Sequence, residues 1–87
     1  WSEAWNARAT LFFYMNSYEE SLKDIDQVLN LEPRHFGALS GRAQILIKLE
    51  KYEKAINDLK EIKRINPSIT KDVLIKKLRE LIRGLSV

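Results

Sequence analysis

The sequence predicts an all-α protein: a right-handed α-solenoid of two helical hairpins followed by a C-terminal capping helix. Three observations carry this. The chain repeats itself at an offset of 34 residues, and a fixed period of about 20–50 residues marks a stacked-repeat architecture. Within each copy, apolar residues recur at spacings of three and four, the period of one helix face. Finally, 3 glycines and 2 prolines in 87 residues are too few for the turn-rich sequence of a β fold.

The repeat is explicit. Ala4/Ala38, Arg8/Arg42, Ala9/Ala43, Tyr18/Tyr52, Glu19/Glu53, Asp24/Asp58 and Pro33/Pro67 are identical at that offset. Leu11/Ile45, Phe12/Leu46, Met15/Leu49, Leu22/Ile56, Ile25/Leu59, Val28/Ile62 and Leu31/Ile65 are conservative pairs.

The elements follow in order. The Trp5–Ala9–Phe12 stripe predicts a first helix over 3–15, closed by a turn at Asn16-Ser17. Tyr18, Leu22, Ile25, Val28 and Leu31 predict a second helix over 18–31. Pro33 ends it, because proline lacks an N–H and disfavours the α conformation of the residue before it. Leu39, Ala43, Leu46 and Leu49 predict a third helix over 35–49, with a turn at Glu50-Lys51. Tyr52, Ile56, Leu59, Ile62 and Ile65 predict a fourth over 52–65, ended by Pro67. Ala9 should face Ser21, and Ala43 should face Ala55, since small residues let helix axes approach closely. Leu74, Ile75, Leu78, Leu81, Ile82 and Leu85 predict a fifth helix over 70–84, with Gly84 at its stop. A connection one residue longer, through Ser68-Ile69-Thr70, puts Leu74, Leu78 and Leu81 where Leu39, Ala43 and Leu46 stand. A leucine at the small position fits a helix with no further helix behind it. Such a helix covers the apolar end of a stack while Lys71, Lys76, Lys77, Arg79 and Arg83 face water. Arg8 with Asp24, and Arg42 with Asp58, share a spacing of 16 and are expected to form structural ion pairs. Glu19–Lys23 and Glu50–Lys54 are at the i,i+4 spacing of helix-surface partners.

The period, together with Trp5, Ala9, Tyr18, Ser21 and Pro33 and their counterparts Leu39, Ala43, Tyr52, Ala55 and Pro67, resembles the tetratricopeptide repeat (TPR). The resemblance spans Ser2 to Pro67 and divides the chain into a first repeat over 2–35, a second over 36–69 and the cap over 70–87. The pattern departs from the family at Arg8 and Arg42, Ser21, Val28 and Ile62. The stretch from Leu31 to Gly41 also resembles a group of small bacterial TPR proteins, often exported. The family resemblance implies a concave groove lined by the first helix of each repeat. Its positions are Asn6, Thr10, Phe13 and Tyr14, then Ser40, Gln44, Ile47 and Lys48. These residues also lie off the two core stripes. Phe13, beside Tyr14 and Ile47, is expected to be exposed there, with the polar residues free to bond a peptide backbone. TPR domains that hold chaperone tails carry a basic clamp. Of the corresponding residues Asn6, Thr10, Gly41 and Gln44, Asn6 alone fits one, so that ligand is not expected.

Composition excludes much else. There is no cysteine, hence no disulfide or thiolate site, and His35 is alone, so no metal or other cofactor is expected. His35 follows Pro33 and reads as a helix-start residue. The six serines have no nucleophile arrangement, and no phosphate loop occurs; an enzyme is not expected. No apolar run approaches the ~20 residues of a membrane helix. Net charge is +3, with −2 over residues 1–50 and +5 over 51–87. The expected function is therefore a non-catalytic interaction module binding a peptide or partner subunit in its groove. The alternative is a binder of nucleic acid or anionic lipid through the basic C-terminal half, which the separation of aromatics from the basic residues disfavours. The chain starts at Trp1 without methionine and reads as a piece of a longer one. Trp1, Trp5, Phe12, Tyr18 and Ile25 are expected to leave the N-terminal face partly bare, to be met either by earlier repeats of a longer chain or by a second copy; self-association is expected of the chain as given.

Overall fold

A computed structural model describes residues 1–68 and 71–85. It contains five helices: α1 (Ser2–Tyr14), α2 (Tyr18–Leu31), α3 (Phe36–Lys48), α4 (Tyr52–Ile65) and α5 (Asp72–Leu85). Each lies within one or two residues of its predicted span, and no strand occurs among the described residues. Ile69 and Thr70, which hold most of the lengthened connection and the expected start of the fifth helix, and Ser86 and Val87 lie outside the described residues.

The helix ends repeat as faithfully as the faces. Both hairpin turns hold a residue at φ 60°, Asn16 in the first and Glu50 in the second. Ser17 N–H donates to Phe12 C=O (2.9 Å) and Asn16 N–H to Phe13 C=O (3.0 Å). Lys51 N–H to Leu46 C=O (2.7 Å) and Glu50 N–H to Ile47 C=O (3.0 Å) reproduce the pattern. This is the paired closure that satisfies the last carbonyls of a helix through one left-handed residue. Asparagine tolerates that conformation; glutamate is strained there. Because Glu50 sits in the turn rather than on a helix, its i,i+4 relation to Lys54 does not bring the two together. Neither that pair nor Glu19–Lys23 forms an ion pair; all four side chains are exposed and solvated. At the far ends, Glu32 (φ −138°, ψ 88°) and Asn66 (φ −135°, ψ 88°) are extended, as residues preceding proline must be.

Small residues set the hairpin spacing. Ser21 is fully buried and its Oγ donates to Ala9 C=O at 2.6 Å; Ala43 and Ala55 are buried at the equivalent places. Two cores result. Ala9, Ile25, Val28, Ala38 and Ile45 form one between the hairpins. Leu39, Ala43, Leu46, Ala55, Ile56, Leu59 and Ile62 form the other, completed by Ile75 and Leu78 of α5. Each large side chain buried in full is worth about 1.5–3 kcal/mol.

The N-terminal face is partly bare, at Trp1 as expected but otherwise at other residues. Ile25 is buried in the first core, and Trp5, Phe12 and Tyr18 are half-covered. The exposed residues are those whose counterparts face the preceding hairpin: Leu11 is 60% exposed while Ile45 is fully buried, and Ala4 is exposed while Ala38 is buried. Trp1 is 93% exposed and Met15 is open as well. The register of α5 also differs from expectation. Ile75 and Leu78 are buried, Leu74 and Ile82 are partly buried, and Leu81 is 43% exposed. A terminal helix covers one neighbour, so a single stripe of spacing three and four suffices, and α4 selects which one. Lys63 Nζ, 2.8 Å from Asp72 Oδ1, ties the end of α4 to the start of α5.

Candidate functional site

α1 and α3 lie side by side, and a cleft of about 350 Å³ opens between them. From α1 it is lined by Asn6, Thr10, Phe13 and Tyr14, which at spacings of four, seven and eight share one helix face. From α3 it is lined by Gly37, Ser40, Gly41 and Gln44, again one face, with Phe36 at its edge. Ala9, Ser21, Ile25 and Ile45 form the floor.

Six of the eight predicted groove residues therefore meet in one cleft: Asn6, Thr10, Phe13, Tyr14, Ser40 and Gln44. Ile47 and Lys48 are not among its lining residues. Ile47 is half-buried against the second core and Lys48 is exposed in the last turn of α3. Phe13 is not the exposed residue expected. It packs against the first core, edge-on to Tyr14 (centroids 5.5 Å apart) and tilted to Tyr18 (5.8 Å). Tyr14 is the open aromatic, 77% exposed. Phe36 and Gly37 were missed by sequence reasoning, and Gly41 was noted only as a position corresponding to the basic clamp. The glycines were findable, because they continue the face of Ser40 and Gln44 at helical spacing. No charged side chain lines the cleft among the described residues. Thr10 Oγ1 donates to Asn6 C=O at 3.0 Å, while the Asn6, Ser40 and Gln44 side chains make no hydrogen bond within the described residues.

The two arginine–aspartate pairs are structural, as expected. Arg8 Nε and Nη2 donate to the two Asp24 oxygens at 2.7 and 2.8 Å. Its guanidinium also stacks on Trp5 (5.0 Å) and Phe12 (5.8 Å). Arg42 Nε and Nη2 hold Asp58 at 2.9 and 2.8 Å, and Nη1 reaches Asp26 at 3.3 Å. Asp24 and Asp58 are buried; the hydrogen bonds they accept raise both guanidinium pKa values further above the ordinary arginine value. Every buried side-chain nitrogen and oxygen among the described residues has a partner. A second depression, between α2, α3 and α4, is lined by Asp26, Arg42, Lys51, Lys54 and Asp58. Its charges are of both signs.

His35 caps α3, its Nδ1 accepting from Ala38 N–H at 3.0 Å. Folding brings Glu3 and Glu32 to it, with one ligand atom of each within 4.8 Å of the others, a convergence that sequence spacing gave no sign of. The cap occupies the Nδ1 lone pair, so the neutral ring carries its proton on Nε2, directed at Glu3 Oε1 3.3 Å away. A metal at Nε2 has to displace that proton, and the ring then needs a proton on Nδ1, which ends the cap. His35 thus ties the start of α3 to α1 through Glu3, and to the end of α2 through its own N–H, which donates to Glu32 C=O at 3.0 Å.

Helical hairpins of period 34 stacked face to face define a helical-repeat protein. A family description, "Tetratricopeptide repeat", matches residues 2–35 and 37–69, and the chain belongs to that family. Among curated proteins, one described as a TPR repeat-containing protein, from Rhizobium etli, is 63% identical over 46 residues. The match covers 53% of this chain and 22% of that protein, so the chain spans about a fifth of its relative's length. TPR repeats generally mediate protein–protein contacts in non-enzymatic scaffolds. No helix among the described residues is long and apolar enough to cross a membrane.

Proposed function

We propose that the chain is a non-catalytic protein-interaction module that holds an extended segment of a partner in the α1–α3 cleft. The supporting observation is the convergence of Asn6, Ser40 and Gln44, with side-chain donors and acceptors unspent, around the open ring of Tyr14. Tyrosine gives contact area at low entropic cost, and neutral amides bond peptide backbone. The test is a pull-down with the wild type and Tyr14→Ala/Asn6→Ala. These side chains are outside both buried cores, so the helical signal should be unchanged. The expected result is at least about tenfold weaker capture of a partner that wild type holds. Capture retained by this variant but lost in Lys76→Glu/Lys77→Glu, with steep salt dependence, transfers the function to the basic face of α5.

Self-association is a second reading, favoured by the exposure of Trp1, Leu11 and Met15 on one end. Exposed apolar patches of this kind mark association surfaces. Light scattering should show a concentration-dependent dimer that Leu11→Lys/Met15→Lys converts to monomer. A wild-type monomer at high concentration removes the reading.

A further inference from the structure

Gly41 stands in the interior of α3, where glycine weakens a helix relative to alanine. Its backbone does not call for glycine, since no glycine has positive φ among the described residues. Packing does not call for it either: a Cβ built there meets one neighbour within 4 Å, Ile25 Cδ1 at 3.7 Å, an ordinary contact. Gly37 differs. A Cβ there comes within 3.2 Å of His35 Cε1 and presses on the α3 cap. Gly41 therefore carries a cost to the fold for which the fold itself supplies no reason. What the missing side chain does leave open is a notch in the cleft at Gly41, floored by the buried Ile25.

The occupant's chemistry follows from the lining. In a chain that is 31% charged, the cleft has no charged lining residue among those described. A charged side chain entering it loses hydration without gaining a counter-ion. An aliphatic or aromatic side chain rests in that notch over Ile25, within a cleft that the rings of Phe13, Tyr14 and Phe36 also line, while Asn6, Ser40 and Gln44 bond the backbone on either side. Resting on the cleft's role as a peptide groove, we infer that Gly41 is a specificity-determining residue: it admits one apolar side chain of an uncharged, extended peptide segment into a socket over Ile25.

The probe is a phage-displayed library of random peptides, panned on the whole chain, with the selected peptides synthesised and titrated at low and high salt. Uncharged sequences with one aliphatic or aromatic anchor should be enriched, and their affinity should change little with salt. Gly41→Leu, which fills the socket, should bind them at least about tenfold more weakly. Gly41→Ala should bind a few-fold more weakly while its Tm rises by about 5 °C. A fall in Tm for Gly41→Ala overturns the inference by giving the glycine a structural reason. Enrichment of acidic or basic peptides overturns it as well. So does binding that Tyr14→Ala abolishes but Gly41→Leu and Gly41→Ala leave unchanged, although the groove reading then survives. If no peptide is enriched, both fall.

Discussion

Leu78→Asp should release α5 from the stack. Leu78 is buried in the second core beside Ile75, over the fully buried Ile62. Its burial is worth about 1.5–3 kcal/mol, and an ionised carboxylate in the same place, without a partner, costs several kcal/mol more. With two buried side chains holding it, α5 cannot offset that sum, so undocking wins over burial of the charge. A free helix of 14 residues is marginal in water. The far-ultraviolet helical signal should therefore fall by about a fifth, with a lower Tm and binding of a hydrophobic dye to the uncovered core. Leu81→Asp is the matched control. Leu81 lies on the open side of α5, and its substitution should cost less than about 1 kcal/mol. Equal damage from the two substitutions would overturn the observed register of α5.

Arg42→Met should cost about 2–3 kcal/mol, measured as a fall in the urea midpoint. Breaking a buried ion pair from one side typically costs about 3–5 kcal/mol. Arg42 is 31% exposed, which screens part of that loss. The deficit comes from Asp58, whose buried carboxylate loses both donors of the fork. Set against a total of about 5 kcal/mol for a small domain, this is a severe change. Arg42→Met/Asp58→Leu should recover most of the loss, because an apolar pair of similar volume replaces a buried ion pair at little cost. A deficit in the double variant as large as in the single one would show that Arg42 acts through packing of its stem.

The fold was largely legible because it is written in local periods. Apolar residues at spacings of three and four define each helix, and the prolines at 33 and 67 end two of them through backbone chemistry alone. The left-handed turn residue was half legible. Asn16 suits the conformation, whereas Glu50 adopts it by its place in the repeat. The arginine–aspartate forks were legible because the same pair recurs at the same spacing, which chance seldom arranges twice.

Other features depended on which neighbour a helix found. Leu74, Ile75, Leu78, Leu81 and Ile82 offer α5 more than one apolar stripe, and contact with α4 chose the one through Ile75 and Leu78. The family resemblance, with off-stripe position agreeing, pointed to Asn6, Thr10, Ser40 and Gln44, and these four line the cleft. It did not show that the cleft stops before Ile47, or that Phe13 turns into the core and leaves Tyr14 outside.

The sequence by itself determined the class of helical repeat, through its period of 34 residues; it also determined the ends of the helices and the side of each hairpin that meets the core, because these two are read from spacings shorter than about two turns. Tertiary packing decided the register of α5, the extent and neutrality of the α1–α3 cleft, and the meeting of His35 with Glu3 and Glu32. Those depend on how residues far apart in the chain approach across helix axes, a distance that local periodicity does not encode.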